Sequence, residues 1–322
     1  DIAVAVSLLL AMRLIPDTYV KDTIFIGELS LSGEIQPVSG ILPIVIACEQ
    51  IGIKKCIVAT ANVKEASFAE SLEIQGFHNL EELYFYLKHG ECIDLESGEI
   101  IQKTETANPT YFIADTSEKI TDFSEICGQI MAKRAMEISA AGYHNLLLGG
   151  PPGVGKSMLA SSISGIMPNM TKKEMLDTTM IYSVKGLLKK EISLIDKRPF
   201  RAPSLAITQA GMFGGGVIPQ PGEISLAHHG VLFLDEFPEY TRDMIEMFRI
   251  PLEKHFIQLT RKEKSIIFPA DFLLIAAANS CPCGYYPLEK CHCSYRQIKR
   301  YQNKISGAIL DRIDLFVRCE EI

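Results

Sequence analysis

The segment that decides the fold of this chain is residues 145–157, NLLLGGPPGVGKS. Its apolar run, residues 146–148, predicts a buried parallel strand, and residues 158–160 begin a helical pattern. Between them lies a glycine loop with the spacing G-x-x-x-x-G-K-S, which is typical of a phosphate-binding loop when a strand precedes it and a helix follows. We therefore predict an α/β fold with a parallel sheet. The residues predicted to hold a nucleotide are Gly150, Pro151, Pro152, Gly153, Val154, Gly155, Lys156, Ser157 and Met158.

The residue types in this loop suit phosphate chemistry. Glycines allow backbone N–H groups to turn towards phosphate oxygens, and the N-terminus of the following helix adds positive potential. Lys156 can reach the β- and γ-phosphates, and the Ser157 hydroxyl can ligate Mg²⁺. The alternative is a glycine-rich turn that contains Lys-Ser by chance. It is disfavoured because the flanking strand and the flanking helix are both present.

The composition is that of a globular protein large enough for two domains. The 322 residues are 47% hydrophobic and 22% charged, with a formal net charge of −7. The acidic total argues against a broad basic surface but leaves room for a local basic groove. No apolar run is long enough to span a membrane, and residues 2–14 lack the basic start and cleavage site of a signal peptide. Nine cysteines without a secretory signal favour a reducing compartment, so we expect a cytoplasmic protein without a membrane partner.

The pattern of predicted elements divides the chain into two domains. Residues 1–90 alternate short apolar strands with helices, as a small α/β domain does. Residues 91–121 are polar and predict an interdomain linker with one short strand at 111–113. Residues 122–322 form the domain that contains the phosphate loop. The chain starts at Asp1 rather than Met, so we expect it to be part of a longer protein. Helices are further predicted over residues 64–72, 126–141 and 241–252.

A second apolar run, VLFLDE at residues 231–236, ends in two carboxylates. Ligands of open α/β sheets bind at the carboxyl ends of the strands, which is where Asp235 and Glu236 are predicted to lie. Asp235 can hold Mg²⁺, and Glu236 can polarise an attacking water. Taken alone, the pair could equally be a solvated strand end. Its position downstream of a phosphate loop favours the catalytic interpretation.

Two further polar residues are candidates for the same site. Asn279 ends a third predicted strand, residues 273–278, where its amide can orient the attacking water or touch the γ-phosphate. The alternative for Asn279 is a strand-end cap. Arg312 lies between Asp311 and Asp314, so it is either half of a surface ion pair or an arginine finger supplied to a neighbouring subunit.

Four cysteines form two C-x-C pairs within CPCGYYPLEKCHC, residues 281–293. Thiolates brought together by the intervening Gly and Pro turn suit tetrahedral Zn²⁺. C-x-C is tighter than the usual C-x₂-C spacing, and a reduced loop without metal is the alternative. The predicted zinc ligands are Cys281, Cys283, Cys291 and Cys293, and His292 could replace one of these thiolates.

The glycine loop, the Asp-Glu strand, the Asn strand and the late arginine together resemble the AAA+ ATPases. Residues 128–157, with RPFRAPSLAITQAG at 198–211 and PQPGEISLAHHGVLFLDE at 219–236, look like the magnesium-chelatase-like branch, and specifically like the ComM/YifB family. The similarity covers nearly the whole chain. TIFIGELSLSGEIQPVSGILPI, residues 23–44, is similar to that family's Lon-protease-like N-terminal domain. Leu42 aligns where Lon carries its catalytic lysine, so this domain is expected to be non-proteolytic.

The resemblance implies a role for each matching residue. Lys156 and Ser157 take the Walker A roles, Asp235 and Glu236 are Walker B, and Asn279 is sensor 1. Arg312 is the arginine-finger candidate. The sensor 2 arginine of the family lies in a C-terminal lid beyond Ile322. ATP and Mg²⁺ are the implied cofactors, and a homo-oligomeric ring, expected to be a hexamer, is the implied assembly.

The resemblance also implies a DNA helicase that promotes branch migration in natural transformation and recombination. A hairpin predicted over residues 256–268 carries Arg261, Lys262 and Lys264 at its tip, where basic side chains could track the phosphates of single-stranded or branched DNA. A charged hairpin tip can also simply be solvated. Two other functions stay open, namely the ATPase subunit of a magnesium-chelatase-type metal-insertion complex and a non-hydrolysing nucleotide sensor.

Overall fold

The structure is a computed structural model that describes residues 1–93, 100–101, 122–188, 194–261 and 264–320. The chain forms two compact units. The first comprises residues 1–114 and 179–195, and the second comprises residues 115–178 and 196–322. The predicted strand at 111–113 lies outside the described residues.

The first unit contains a three-stranded parallel sheet in the order β1-β4-β5 and two small antiparallel pairs. Its core is formed by one face of the first helix together with buried strand and helix residues such as Ile57, Phe77 and Leu83. The predicted hairpin after residue 29 is present, because β2 pairs with β3 around Gly33. The strands are β1 Thr23–Ile26, β2 Glu28–Leu29, β3 Ile35–Gln36, β4 Lys55–Ala59, β5 Glu73–Phe77, β6 Cys92–Ile93 and β7 Ile100–Ile101. The helices are α1 Ile2–Ala11, α2 Ile41–Gln50, α3 Val63–Ala66 and α4 Leu80–His89.

The second unit is built on a five-stranded sheet in the order β14-β8-β13-β10-β9, in which every pair of neighbours is parallel. A separate antiparallel hairpin joins β11 to β12. The strands are β8 Leu146–Gly149, β9 Phe200–Arg201, β10 Val231–Leu234, β11 Phe256–Arg261, β12 Lys264–Pro269, β13 Leu273–Ala278 and β14 Leu315–Arg318. The helices are α5 Ile130–Gly142, α6 Lys156–Ser162, α7 Lys172–Lys185, α8 Gln209–Phe213, α9 Glu223–Leu226, α10 Arg242–Met247, α11 Arg249–Lys254, α12 Tyr295–Gln302 and α13 Gly307–Leu310.

The central strands β10 and β13 of the parallel sheet are buried on both faces, which explains their continuous apolar runs. All four residues of β10 and all six of β13 are buried. Because side chains alternate along a strand, Val231 and Phe233 pack in one core, and Leu232 and Leu234 pack in the other. The predicted mixed α/β fold with a parallel sheet is therefore confirmed.

Three predicted helices differ from the observed ones for local reasons. The helix expected from residue 126 starts at Ile130, because Gly128 and Gln129 have left-handed φ values of +61° and +51°. The helix expected over 241–252 is broken at Phe248, since Pro251 lacks an N–H and its ring crowds the carbonyl four residues earlier. The helix expected over 64–72 is a single turn, α3, after which the Ser67 hydroxyl donates to the carbonyl of Lys64 at 2.8 Å.

The division into units also differs from the predicted domain boundaries. Residues 179–195 group with the first unit, whereas the sequence pattern assigned all of 122–322 to one domain. Helix α7 therefore begins in the second unit, and its residues from 179 onwards belong to the first unit.

Candidate nucleotide-binding site

A cavity of about 350 Å³ opens at the carboxyl edge of the parallel sheet. Strands β8, β10 and β13 are neighbours in this sheet, so the polar residues that follow them meet at one edge. The volume falls within the range of small-ligand sites. The cavity is lined by Pro152, Gly153, Gly155, Lys156, Ser157, Met158, Asp235, Glu236, Ala277, Ala278 and Asn279.

The phosphate loop has the glycine conformations that the sequence pattern requires. Gly153 and Gly155 have φ values of +85° and +84°, a region that L side chains rarely adopt. Gly150 is needed for a different reason, because a Cβ there would lie 2.7 Å from the carbonyl oxygen of Cys319. The phosphate loop thus contains two left-handed glycines and packs at Gly150 against the residue that follows β14.

Lys156 occupies the centre of the loop and is 8% exposed. Its Nζ donates to the carbonyl oxygens of Gly150 and Pro151 at 2.8 and 2.9 Å, and to Oδ1 of Asn279 at 3.1 Å. Burial lowers the pKa of Lys156, while Asp235 and Glu236 act in the opposite direction. The ammonium group is therefore fixed in the wall of the cavity by three oxygen acceptors.

The serine and the carboxylates of the two motifs also meet in the cavity. The Ser157 hydroxyl donates to Oδ2 of Asp235 at 2.8 Å, and the backbone N–H of Glu236 donates to Oδ1 of the same carboxylate at 2.8 Å. Glu236 is exposed and has a left-handed φ of +48°, which turns the chain sharply after β10. A hydroxyl and a carboxylate oxygen 2.8 Å apart are hard oxygen ligands of the type that Mg²⁺ prefers, so this donor set fits a magnesium nucleotide.

A second cavity, of about 590 Å³, shares the phosphate loop and was not expected from the sequence. Gln129 is one of its lining residues and forms hydrogen bonds with two other segments of the chain. Its Nε2 donates to the carbonyls of Val154 and Glu320 at 3.3 and 2.7 Å, and its Oε1 accepts from the N–H of Glu320 at 3.3 Å. Outside the phosphate loop no motif marks the lining residues, because they come from separate stretches of chain. The lining consists of Glu125, Ile126, Cys127, Gln129, Pro152, Gly153, Val154, Gly155, Met158, Leu159, Lys290 and Glu320.

Arg312 is not among the described residues that line either cavity. Its guanidinium pairs with Glu253 on α11 and donates to the carbonyl of Ala308. The pairing lowers the pKa of the Glu253 carboxyl. The structure therefore contains an ion pair of Arg312, which was one of its two interpretations, and the partner is a carboxylate distant in sequence.

The four cysteines of residues 281–293 converge as predicted. Their sulfur atoms all lie within 4.8 Å of one another. The Sγ–Sγ distances are 3.3 Å for Cys281–Cys283, 3.7 Å for Cys281–Cys291 and 3.6 Å for Cys283–Cys291. Backbone N–H groups of Tyr285 and His292 lower the pKa of the Cys283 thiol to about 6.

The predicted DNA-contacting residues are only partly described. The backbones of Arg261 and Lys264 pair with each other at the end of the β11–β12 hairpin, as expected for its tip. Lys262 lies outside the described residues. Within the part of the chain that is described, no helix has the length and apolar character needed to cross a membrane.

Comparison with known proteins identifies the family. Residues 122–322 match the family described as magnesium chelatase, subunit ChlI, and residues 1–62 match a second description, subunit ChlI of Mg-chelatase. Competence protein ComM of Haemophilus influenzae is 38% identical over 319 residues, which cover 98% of this chain and 60% of ComM. The YifB protein of Escherichia coli is 37% identical over 98% of this chain and 59% of YifB. Lon protease 2 of Bacillus subtilis is 26% identical over 69% of this chain and 45% of that protease.

The parallel five-stranded sheet, with the phosphate loop after β8, is consistent with a P-loop domain of the AAA+ class. More specifically, the chain belongs to the magnesium-chelatase-like family that includes ComM and YifB. It spans about 60% of the length of these relatives.

Proposed function

We propose that this chain is the ATP-binding and ATP-hydrolysing part of an AAA+ ring motor. The observation that carries the proposal is the hydrogen-bonded set of Lys156, Asn279, Ser157 and Asp235 around one cavity. In the proposal, the phosphates lie in the loop of residues 150–158, which supplies backbone N–H groups and the ammonium of Lys156. Ser157 and Asp235 hold the Mg²⁺ of the nucleotide.

The second cavity supports an adenine nucleotide as the ligand. It adjoins the phosphate loop, and its apolar lining includes Ile126, Val154 and Leu159. A nucleobase needs such an apolar slot with a few polar groups, and the backbone beside Gln129 supplies these. We assign the base and ribose to this cavity and the phosphates to the smaller one.

Hydrolysis is assigned to the residues at the mouth of the smaller cavity. Glu236 accepts a proton from the attacking water, since its carboxylate is exposed and lines the cavity next to Asp235. Asn279 orients that water or the γ-phosphate through its amide. Lys156 and the Mg²⁺ ion neutralise charge that develops on the transferred phosphoryl group.

An oligomeric ring is supported by the family and by the position of Arg312. Arginine is the residue suited to stabilising phosphoryl charge from a neighbouring subunit. Arg312 is half-buried, pairs with Glu253 and is absent from the described linings of its own chain's cavities. We therefore propose that it acts in trans, within a hexamer of this protein.

The motor is proposed to move along single-stranded or branched DNA, as a helicase that extends recombination intermediates. The likeness to competence protein ComM supports this substrate class. The hairpin tip with Arg261, Lys262 and Lys264 is the proposed DNA contact. We also propose a cytoplasmic location. The proposed domains are a Lon-like non-proteolytic domain over 1–90, a linker over 91–121 and the AAA+ core over 122–322. The match to Lon protease 2 supports the Lon-like character of the domain over 1–90.

We further propose that Cys281, Cys283, Cys291 and Cys293 hold a structural Zn²⁺. Four cysteine sulfurs within 4.8 Å of one another support this assignment, since tetrahedral tetrathiolate sites are typical of structural zinc. A chelatase-type metal-insertion motor remains the second candidate, because the family description of residues 122–322 is that of a magnesium chelatase subunit.

The test is steady-state ATP hydrolysis by the full-length protein, with and without single-stranded DNA. We expect Glu236→Gln to bind ATP normally but to hydrolyse it about 10²–10⁴-fold more slowly, which is the contribution of a general base. Glu239→Gln is the matched control, because Glu239 is an exposed carboxylate near the site that pairs with Lys304 at 3.1 Å and is not among the described cavity-lining residues. Turnover that does not respond to DNA would favour the metal-insertion motor.

A further inference from the structure

We propose that residues 281–293, the cysteine segment, act as a zinc-dependent support for the nucleotide site. In this proposal the metal holds Gly284 against the phosphate loop and keeps Lys290 at the wall of the second cavity. The inference rests on the proposed zinc and nucleotide sites, and it adds a coupling between them.

The cysteine segment has the geometry of a metal-linked turn. A tetrahedron with Zn–S bonds of about 2.3 Å has S–S edges of about 3.8 Å. The three pairs among Cys281, Cys283 and Cys291 are separated by 3.3, 3.6 and 3.7 Å, which is near this edge length. The backbone N–H of Tyr286 also points to Cys281 Sγ at 3.4 Å, a contact of the kind that orients metal thiolates.

The cysteine segment has little else to hold it in place. Residues 281–293, all of which the structure describes, contain no helix or strand. Within them the buried residues are Cys281 and Gly284. A stretch that buries so little apolar surface needs a cross-link to stay ordered, and a bound metal supplies one.

The metal-held turn packs directly on the phosphate loop through Gly284. Gly284 is buried and has a φ of +88°. A Cβ at this position would lie 2.6 Å from Cδ of Pro152, 3.3 Å from its Cγ and 3.8 Å from Cγ of Asn279. The turn therefore packs closely on Pro152 of the loop and lies beside Asn279, whose amide oxygen accepts a hydrogen bond from Lys156.

The other arm of the turn reaches the second cavity. Lys290, next to Cys291, lines that cavity together with Pro152 and Gly153. Its Nζ lies 5.5 Å from the ring centroid of Tyr285, which keeps the side chain against the turn. The metal-linked segment thus contacts the phosphate loop through Gly284 and places the positive charge of Lys290 at the second cavity. That charge would strengthen the binding of an anionic nucleotide. Loss of the metal frees both contacts, so nucleotide affinity should fall.

The experiment measures zinc content and nucleotide affinity together in the full-length protein. Zinc is determined by mass spectrometry, and affinity by titration with a fluorescent, slowly hydrolysed ATP analogue in excess Mg²⁺. Zinc is then removed with a zinc-selective chelator and added back as Zn²⁺ alone. We expect one zinc per chain, about tenfold weaker nucleotide binding after removal, equivalent to about 1.4 kcal/mol, and recovery on readdition.

Two variants separate the contacts from the metal itself. Gly284→Ala leaves the four thiolates intact but forces a methyl group into Pro152, so we expect zinc to be retained and affinity to fall about tenfold. Gly33→Ala is its control, because Gly33 has a φ of +87° and nothing within 4 Å of its Cβ position. Lys290→Ala should weaken nucleotide binding about fivefold. Its control is Lys88→Ala, since Lys88 stacks on Tyr84 at 5.4 Å in the other unit.

The outcomes distinguish the three proposals. A chain that binds nucleotide but no zinc overturns the zinc site and this inference, while the nucleotide site stands. A zinc-loaded chain that binds no nucleotide overturns the proposed function. Stoichiometric zinc with nucleotide affinity unchanged by its removal and by Gly284→Ala refutes the coupling alone.

Discussion

Replacing Lys156 by methionine tests the proposed phosphate site most directly. Methionine has nearly the length of the lysine stem but neither charge nor hydrogen-bond donors. Lys156 is 8% exposed, and its three acceptors are the carbonyls of Gly150 and Pro151 and the amide oxygen of Asn279. Because burial already lowers the pKa of Lys156, removing its charge relieves a desolvation cost while three oxygens lose a donor. These effects oppose each other, so the free energy of unfolding without nucleotide should change by only about 1 kcal/mol.

The effect on nucleotide binding should be much larger. A charge-assisted hydrogen bond contributes about 1.5–3 kcal/mol, so the loss of the contact between Lys156 and the phosphates predicts about 10- to 150-fold weaker binding. At a ligand concentration 100 times the wild-type Kd, the nucleotide stabilises the wild-type protein by about 2.7 kcal/mol. With affinity reduced 100-fold, the same ligand concentration gives about 0.4 kcal/mol.

The assay is thermal unfolding of the full-length protein with and without a magnesium nucleotide analogue. Lys55→Met is the matched control, because Lys55 is also partly buried and paired with a carboxylate, Glu73 at 3.1 Å, but lies in the other unit. The control should keep the full shift in melting temperature on adding nucleotide. If Lys156→Met kept the same shift, Lys156 would not contact the phosphates and the proposed site would be wrong.

Three further predictions concern assembly, acid stability and the core. Arg312→Ala should reduce hydrolysis about 10³-fold while leaving ATP affinity unchanged. Mixing Arg312→Ala chains with Lys156→Met chains should restore turnover, measured by phosphate release, because the first keep an intact nucleotide site and the second keep Arg312. No recovery on mixing would contradict an arginine acting in trans. Burial opposes ionisation of Glu174, but hydrogen bonds from the Thr171 backbone and from Arg198 prevail and lower its pKa to about 2. The ionised Glu174 carboxylate therefore contributes to the free energy of unfolding above its unfolded-state pKa of about 4.5, and this contribution is lost as pH falls through about 2. Glu174→Gln should therefore destabilise by about 1.5–3 kcal/mol at pH 7 and converge with wild type in acid, as followed by urea unfolding across pH. Phe248→Ala should lower the free energy of urea unfolding by about 3–5 kcal/mol, because Phe248 is fully buried, and an equal loss from the exposed Phe316→Ala would refute this.

Much of the candidate site could be predicted because its residues follow apolar strands. The runs before Gly150, Asp235 and Asn279 each indicate a buried strand, and parallel strands bring their carboxyl ends to one edge. Cys281 and Cys291 are ten residues apart, within reach of a single turn, so their convergence was also predictable from spacing. In these cases sequence separation or strand position limits where the side chain can go.

The partner of Arg312 and the second cavity could not be predicted in this way. Glu253 is distant in sequence, and only the packing of α11 near the end of α13 brings the two charges together. Gln129 and Glu320, which are 191 residues apart in sequence, meet for the same reason. Neither contact leaves a pattern in the chain, because each depends on how separate elements pack.

The sequence by itself therefore determined the class of fold, the phosphate loop, the residues at the carboxyl edge of the sheet and the family. These are encoded in short-range patterns of apolar, glycine and charged residues, which act through local backbone preferences. Only the tertiary structure decided that Asn279 accepts a hydrogen bond from Lys156, where Arg312 is held and how Gly284 meets Pro152. Those contacts join segments far apart in the chain, and their distances are set by the packing of the whole unit.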